Sequence, residues 1–100
     1  MRNGVRFPLH LNIRVETEGG VFDAVTEDIS ASGILFHTQA EAPDIHAQLH
    51  WTMVLPKDVM GSPTDTVVHC VGRVIWKKSG NGIQQIGAVI DNYRIAGGSQ

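Results

Sequence analysis

Apolar and polar side chains alternate along most of this chain, and helical spacing of apolar residues is almost absent. In the first alternating segment, Leu9, Leu11, Ile13 and Val15 alternate with His10, Asn12, Arg14 and Glu16. Five further segments alternate in the same way or are apolar runs, namely Val21 to Ile29, Ile34 to Phe36, Ile45 to Met53, Thr66 to Trp76 and Ile83 to about Asp91. Because successive side chains of a strand point to opposite faces, this pattern predicts six β-strands.

The residues between these segments favour short connections. Gly19-Gly20 tolerates positive φ and suits a tight hairpin, and Asn81-Gly82 is a strong hairpin signal. Residues 28–33, 38–44 and 55–65 form the other connections. Six antiparallel strands joined in this way predict an all-β fold, a six-stranded antiparallel β-barrel that is closed or nearly closed, because closure removes exposed strand edges.

Length and composition indicate one small domain. A chain of 100 residues, 42% of them apolar, can bury one modest core, so we expect a single barrel over residues 1–95 and a disordered tail at 96–100. The formal net charge of -2 disfavours binding of a nucleic acid polymer along its backbone. The single cysteine cannot form an internal disulfide, and we find neither a membrane-spanning apolar run nor a signal peptide. We therefore expect a cytoplasmic protein without membrane insertion.

Two short motifs flank the first predicted hairpin. Residues 2–6 read RNGVR, in which three residues separate Arg2 from Arg6. Residues 28–33 read DISASG, with Asp28, Ser30 and Gly33 at spacings of two and three. Either motif alone is a weak signal. Because the hairpin runs out and back, the chain returns near its start at about Asp28, and we expect both motifs at the same end of the barrel.

In this order, the two motifs resemble the signature of the PilZ family, Arg-x-x-x-Arg followed roughly 20 to 30 residues later by Asp/Asn-x-Ser-x-x-Gly. The segments ILF, after Gly33, and IGAVIDNY also resemble the family, so the resemblance covers nearly the whole chain. It implies a six-stranded barrel that binds the bacterial second messenger cyclic di-GMP, with Arg2, Arg6, Asp28, Ser30 and Gly33 as ligand-binding residues. Family members often continue into a C-terminal helix, which we expect to be short or absent here.

The residue types suit that ligand chemically. A guanidinium is a planar fork that matches a phosphate edge or the O6 and N7 acceptors of guanine. The Asp28 carboxylate can accept hydrogen bonds from guanine N1–H and N2–H, and Ser30 can bond a phosphate or a base edge. Gly33 allows the backbone to approach the ligand closely or to adopt a positive φ. We hypothesise that the arginine arm, residues 2–7, is mobile without ligand and becomes ordered over it, which changes contacts with a protein partner or a flanking effector domain.

These residues also have purely structural interpretations. Arg2 and Arg6 can be solvated side chains, whereas Asp28 and Ser30 can shape a turn that Gly33 completes. The combination of both motifs favours ligand binding over these alternatives.

The remaining candidates for chemistry are weak. His46 and His50 would lie roughly 13 Å apart along one strand, too far to share a metal ion, so we expect no metal site and no cofactor besides the ligand. Cys70 is expected in the core rather than as a nucleophile. Trp51 and Trp76 are also expected in the core, with a ligand rim around Trp76 as the alternative.

Three other functions compete with the receptor hypothesis. The first is a PilZ-like barrel that acts only as a protein–protein interaction module. The second is a barrel that binds single-stranded nucleic acid, which needs a basic groove with exposed aromatic side chains. The third and weakest is an enzyme, because no Ser, His and acid residues have a catalytic spacing. We therefore expect a receptor that is not an enzyme and that is a monomer or weak dimer.

Overall fold

The computed structural model describes residues 8–96. Six strands are present, β1 (Asn12–Thr17), β2 (Gly20–Ile29), β3 (Gly33–Thr38), β4 (Gln48–Leu55), β5 (Thr66–Gly80) and β6 (Ile83–Ala96), with one short helix, α1 (Lys57–Met60). The strands follow the order β1-β2-β3-β6-β5-β4, every pair is antiparallel, and β4 pairs with β1. The predicted six-stranded closed barrel is therefore confirmed.

Side-chain alternation places the core inside the barrel. In β1 and β4 each second side chain is buried, and the interior contains Val15, Phe36, Leu49 and Ile86, which are fully buried. Trp51 is 2% exposed, so its predicted place in the core is confirmed. Burial of the apolar faces from all six strands in one interior is the main stabilising contribution to such a fold.

Cys70 is also buried in this core, as expected. Burial in apolar surroundings disfavours the thiolate and raises the pKa of the Cys70 thiol from 9.0 to about 11. The side chain is therefore a structural residue rather than a nucleophile, because the thiolate is the reactive form.

The two predicted hairpins are confirmed, with a small shift in the first. Asn81 (φ 55°) and Gly82 (φ 77°) form the two-residue turn between β5 and β6. Both central residues have positive φ, as a type I′ turn requires. In the first hairpin Thr17 pairs with Gly20, so the turn residues are one position earlier than the predicted glycine pair.

Strand limits differ clearly from the prediction in four of the strands. β1 begins at Asn12 rather than at Leu9, and β4 begins at Gln48 rather than at Ile45. Residues 44–47 form a turn in which His46 has a φ of 75°. Conversely, β5 and β6 extend further than predicted, to Gly80 and Ala96, because hairpin pairing continues where the side chains no longer alternate in burial.

The chain from residue 83 to residue 96 is strand, so this described segment contains no C-terminal helix. Ala96, at the start of the expected tail, pairs with Val67, and residues 97–100 lie outside the described part of the chain. No helix between residues 8 and 96 is long and apolar enough to cross a membrane.

Candidate functional site

The predicted second motif forms the tight connection between β2 and β3. The Ser30 N–H donates to the Gly33 carbonyl (2.9 Å), and the Ser30 hydroxyl accepts from the N–H groups of Ser32 (3.3 Å) and Gly33 (3.1 Å). The Ile90 N–H of β6 donates to the Ser32 carbonyl (2.9 Å). The Ser30 hydroxyl is thus engaged with the backbone of its own turn, and it fixes the shape of this connection.

Gly33 is required by close packing rather than by backbone conformation. Its φ is not among the positive values of the described residues, whereas a Cβ at this position would lie 3.0 Å from the Ala88 carbonyl oxygen of β6. The positive φ considered for Gly33 is therefore not observed. The group that approaches it closely is strand β6, and close approach of its backbone to a ligand stays a prediction.

A β-bulge in β2 directs Asp28 to the outside of the barrel. Thr26 pairs with Phe36, and both side chains are buried, whereas the next paired residue on β2 is Asp28, opposite Leu35. Glu27 is the extra residue between them. Without the bulge, strict alternation would turn Asp28 towards the core, so the extra residue places both acidic side chains outside.

A second bulge, in β5, directs Trp76 to the same outer surface. Val74 is fully buried and pairs with Ala88, and the shifted register then pairs Trp76 with Gly87. Trp76 is 40% exposed, so its predicted place in the core is wrong. Strict alternation from Val74 would have placed the indole inside, and the extra residue, Ile75, reverses the direction.

Strand pairing joins these residues into one row across four strands. Asp28 pairs with Leu35, Leu35 with Gly87, and Gly87 with Trp76. We call this row, together with the Ser30–Gly33 turn, the binding face. A Cβ on Gly87 would lie 2.3 Å from Trp76 Nε1 and 2.6 Å from Cε2, so the indole lies directly against the Gly87 backbone.

A hydrogen-bonded cluster borders the binding face. The Glu27 carboxylate contacts His37 Nδ1 at 2.9 Å and accepts from Gln85 Nε2 at 3.1 Å. The Glu27 and His37 side chains are 29% and 37% exposed. Since the cluster connects β2, β3 and β6, it fixes the outer surface next to Asp28.

Thr26 ties the segment before β1 to the same region. Its hydroxyl donates to the Leu9 carbonyl and accepts from the Leu11 N–H (2.8 Å). Its own N–H donates to the Leu11 carbonyl (2.9 Å). Thr26 is fully buried, and it lies two residues before Asp28. The chain that leads out of the first motif is thereby held at the start of the second.

Arg2 and Arg6 lie outside the described residues, so their ligand contacts stay a prediction. Within the described residues, the nearest arginine in register is Arg73, which pairs with Val89, the partner of Gly33. Its Nε and Nη2 donate to the two oxygens of Asp91, at 2.9 and 2.8 Å. This hydrogen-bonded ion pair raises the pKa of Arg73 and lowers the pKa of Asp91.

The opposite wall of the barrel has a different character. Arg14, Thr52, His69 and Arg94 are consecutive partners across β1, β4, β5 and β6, in a shallow depression of about 550 Å³. Thr52 Oγ1 lies 2.9 Å from His69 Nδ1. Among residues 8–96, no group of three His, Cys, Asp or Glu side chains is arranged to hold a metal ion.

These features define a small, closed antiparallel β-barrel domain that carries Asp28, the Ser30–Gly33 turn and Trp76 on one outer face. The PilZ domain family matches residues 1–98, and the chain belongs to this family. PilZ domains are the family of cyclic di-GMP receptor domains, and they are binding domains rather than enzymes.

Comparison with solved structures supports the fold. The chain is similar to the Bacillus subtilis inhibitor of motility (MotI/DgrA), with a TM-score of 0.76 and 15% sequence identity. The match covers 92% of this chain and 43% of that one, so this chain spans less than half the length of that protein. No curated protein matches the chain in a sequence search.

Proposed function

We propose that this domain binds cyclic di-GMP on the binding face, with the arginines of the first motif closing over the ligand. The observation that carries the proposal is the tie between Thr26 and the segment at Leu9 and Leu11. Arg6 lies three positions before Leu9, and three residues of extended chain span at most roughly 10 Å. An arginine side chain on a segment anchored beside Asp28 can therefore reach a ligand on this face.

The residues of the binding face divide the recognition of the ligand among them. The Asp28 carboxylate lies outside the barrel and is available to the N1–H and N2–H donors of a guanine. Arg2 and Arg6 supply planar guanidinium groups for the phosphates or for guanine O6 and N7. The Trp76 indole, held against Gly87, offers a flat surface on which a base can stack.

Ser30 and Gly33 act mainly through the backbone in this proposal. The Ser30 hydroxyl is engaged within the turn, and a side chain at Gly33 would press on the Ala88 carbonyl. Their role is to hold the turn in a shape that leaves the outer surface beside Asp28 accessible. This role differs from the direct contact with a phosphate or a base edge that the sequence suggested for Ser30.

The signal is relayed by the arginine arm in this proposal. Ligand contacts order residues 2–7 over the binding face, and the ordered arm changes the surface offered to a protein partner or to a flanking effector domain. The functional unit extends over residues 1–95, acts in the cytoplasm, and is a monomer or weak dimer. A change in amide hydrogen exchange at residues 2–7 upon ligand addition is the expected sign of ordering, and equal exchange in both states would reject this relay.

Calorimetric titration with cyclic di-GMP tests the binding itself. Wild-type protein is expected to bind with micromolar or tighter affinity, and Arg6→Ala is expected to lower the affinity at least tenfold without a loss of folded structure. Arg94→Ala is the matched control, because Arg94 lies in the depression on the opposite wall. Equal affinities of wild type and Arg6→Ala would reject the proposed role of the arm. Absence of binding by the wild type would favour a barrel that interacts only with protein.

A further inference from the structure

We propose that His37 is a further ligand-binding residue of this face, and that its protonation raises the affinity for a phosphodiester. The inference rests on the proposed function and adds a pH response to it. It starts from the hydrogen-bonded cluster of Glu27, His37 and Gln85 at the border of the binding face. Nothing in the sequence motif of the family assigns a role to these three residues.

The cluster fixes which nitrogen of His37 remains for a ligand. The Glu27 carboxylate can only accept hydrogen bonds, so His37 Nδ1 donates across the 2.9 Å contact. Gln85 Nε2 donates to both oxygens of the same carboxylate, at 3.1 and 3.3 Å. The proton of neutral His37 is thus held at Nδ1, and Nε2 carries a lone pair. Addition of a proton at Nε2 turns this acceptor into a charged donor.

His37 lies within reach of a ligand on the binding face. It follows Leu35 by two residues on β3, so both side chains point outwards roughly 7 Å apart. The side chain is 37% exposed, so Nε2 can meet a ligand without unfolding of the strand. A nucleotide that lies along the row from Asp28 to Trp76 and extends by one residue spacing along β3 can therefore place a phosphate oxygen next to the imidazole.

The charges around His37 explain why its protonation matters. On β2 the acidic residues are Glu27, Asp28 and Asp23, the last of which is paired with Arg14 of β1. On β6 the neighbour is the uncharged Gln85. On β5, Lys78 stands opposite Gln85. The carboxylates of Glu27 and Asp28 repel an anionic ligand on this face. A positively charged His37 imidazole between the ligand and Glu27 reduces that repulsion.

The test is a titration with cyclic di-GMP at pH 6, 7 and 8 and constant ionic strength, with His37→Gln and His69→Gln as matched variants. The glutamine amide can still donate to Glu27 but does not titrate between these pH values. His69→Gln is the control, because His69 is paired with Thr52 on the opposite wall. Thermal melting of each variant at each pH verifies that it is folded.

Wild type and His69→Gln are expected to bind about fivefold more tightly at pH 6 than at pH 8, whereas the affinity of His37→Gln should vary less than about twofold. Wild-type binding that is independent of pH, or a pH response that survives in His37→Gln, would overturn the inference and leave the proposed function intact. Absence of binding at every pH would instead overturn the proposed function.

Discussion

Replacement of Thr26 by valine tests the connection between the two motifs. Valine has nearly the same shape as threonine but lacks the hydroxyl that bridges Leu9 and Leu11. The substitution therefore frees the segment that precedes β1 while it preserves the apolar packing at a fully buried position. We expect a loss of stability together with weaker binding of cyclic di-GMP.

The size of the stability loss follows from the two lost hydrogen bonds. Each net hydrogen bond contributes about 1 kcal/mol, and leaving the Leu9 carbonyl and the Leu11 N–H without a partner adds a desolvation cost. Together these terms give about 2 to 3 kcal/mol. For a domain of this size, such a loss lowers the melting temperature by roughly 10 °C or more. Urea denaturation measures the difference directly.

Thr38→Val is the matched control. Thr38 is 3% exposed, and its hydroxyl likewise bridges two backbone groups, donating to the Asp23 carbonyl (2.6 Å) and accepting from the Ala40 N–H (3.1 Å). It holds the far end of β3 and makes these hydrogen bonds to Asp23 and Ala40 rather than to the segment at Leu9 and Leu11. Both variants should lose similar stability, but only Thr26→Val should lower the affinity for cyclic di-GMP, by about fivefold or more, because the segment at Leu9 and Leu11, from which the arm extends, is then fixed in fewer molecules.

Calorimetric titration, at a temperature where both variants are fully folded, compares their affinities for cyclic di-GMP. If Thr26→Val bound the ligand as tightly as Thr38→Val, the tie would serve stability only, and the argument that it positions the arm would be refuted.

Three further predictions address single residues. Asp28→Ala should lower the affinity for cyclic di-GMP about tenfold with little change in stability, since a methyl group cannot accept hydrogen bonds from the guanine donors; unchanged calorimetric affinity would contradict this role. Gly87→Ala should displace the Trp76 indole, because the new Cβ would lie 2.3 Å from its Nε1. The substitution should therefore lower the ligand affinity and the change in tryptophan fluorescence on binding. Wild-type values of both quantities would exclude a stacking role for Trp76. Folding favours the neutral Cys70 thiol, whose pKa is raised from 9.0 to about 11. The contribution of the thiol to stability is therefore complete below pH 9 and is lost as the pH rises through 11. If urea denaturation of a Cys70→Ala variant showed the same loss of stability over this range, the loss would belong to other groups.

The fold could be predicted from the sequence because most strands have one buried face. The alternation in β1 and β4 is nearly complete, and the turn at Asn81-Gly82 leaves few choices for the last hairpin. The limits of β4 were harder to predict. The alternation continues from Ile45 through a turn in which His46 adopts a positive φ, and nothing in the pattern marks where strand pairing begins.

The outer surface was less predictable, because two bulges reverse the direction of the side chains that follow them. Counting every second residue from Val74 places Trp76 inside, and only the extra Ile75 puts the indole on the outer surface. The extra Glu27 has the same effect on Asp28. A bulge depends on the pairing of two strands that are distant in sequence, so local alternation does not reveal it.

The roles of Ser30 and Thr26 in the site were also difficult to predict from the sequence, because both roles depend on three-dimensional contacts. A serine in a DISASG motif is compatible with a ligand contact and with a turn, and only the structure shows that its hydroxyl bonds to the backbone of the turn. Thr26 carries no motif at all. The available signal was its place in the alternation, on the same side of β2 as Phe22 and Ala24, because a hydroxyl on the buried side must find a partner.

The central claim is that one ligand lies on the outer face where the two motifs meet. A two-dimensional ¹H–¹⁵N NMR titration with cyclic di-GMP tests this claim most directly, because it reports each backbone amide and the tryptophan indoles separately. We predict the largest shifts at the amides of Asp28, Ser32, Gly33 and Gly87 and at the Trp76 indole N–H, with little change at His69 and Arg94. Shifts concentrated at His69 and Arg94, or no shifts at ligand excess, would contradict the account.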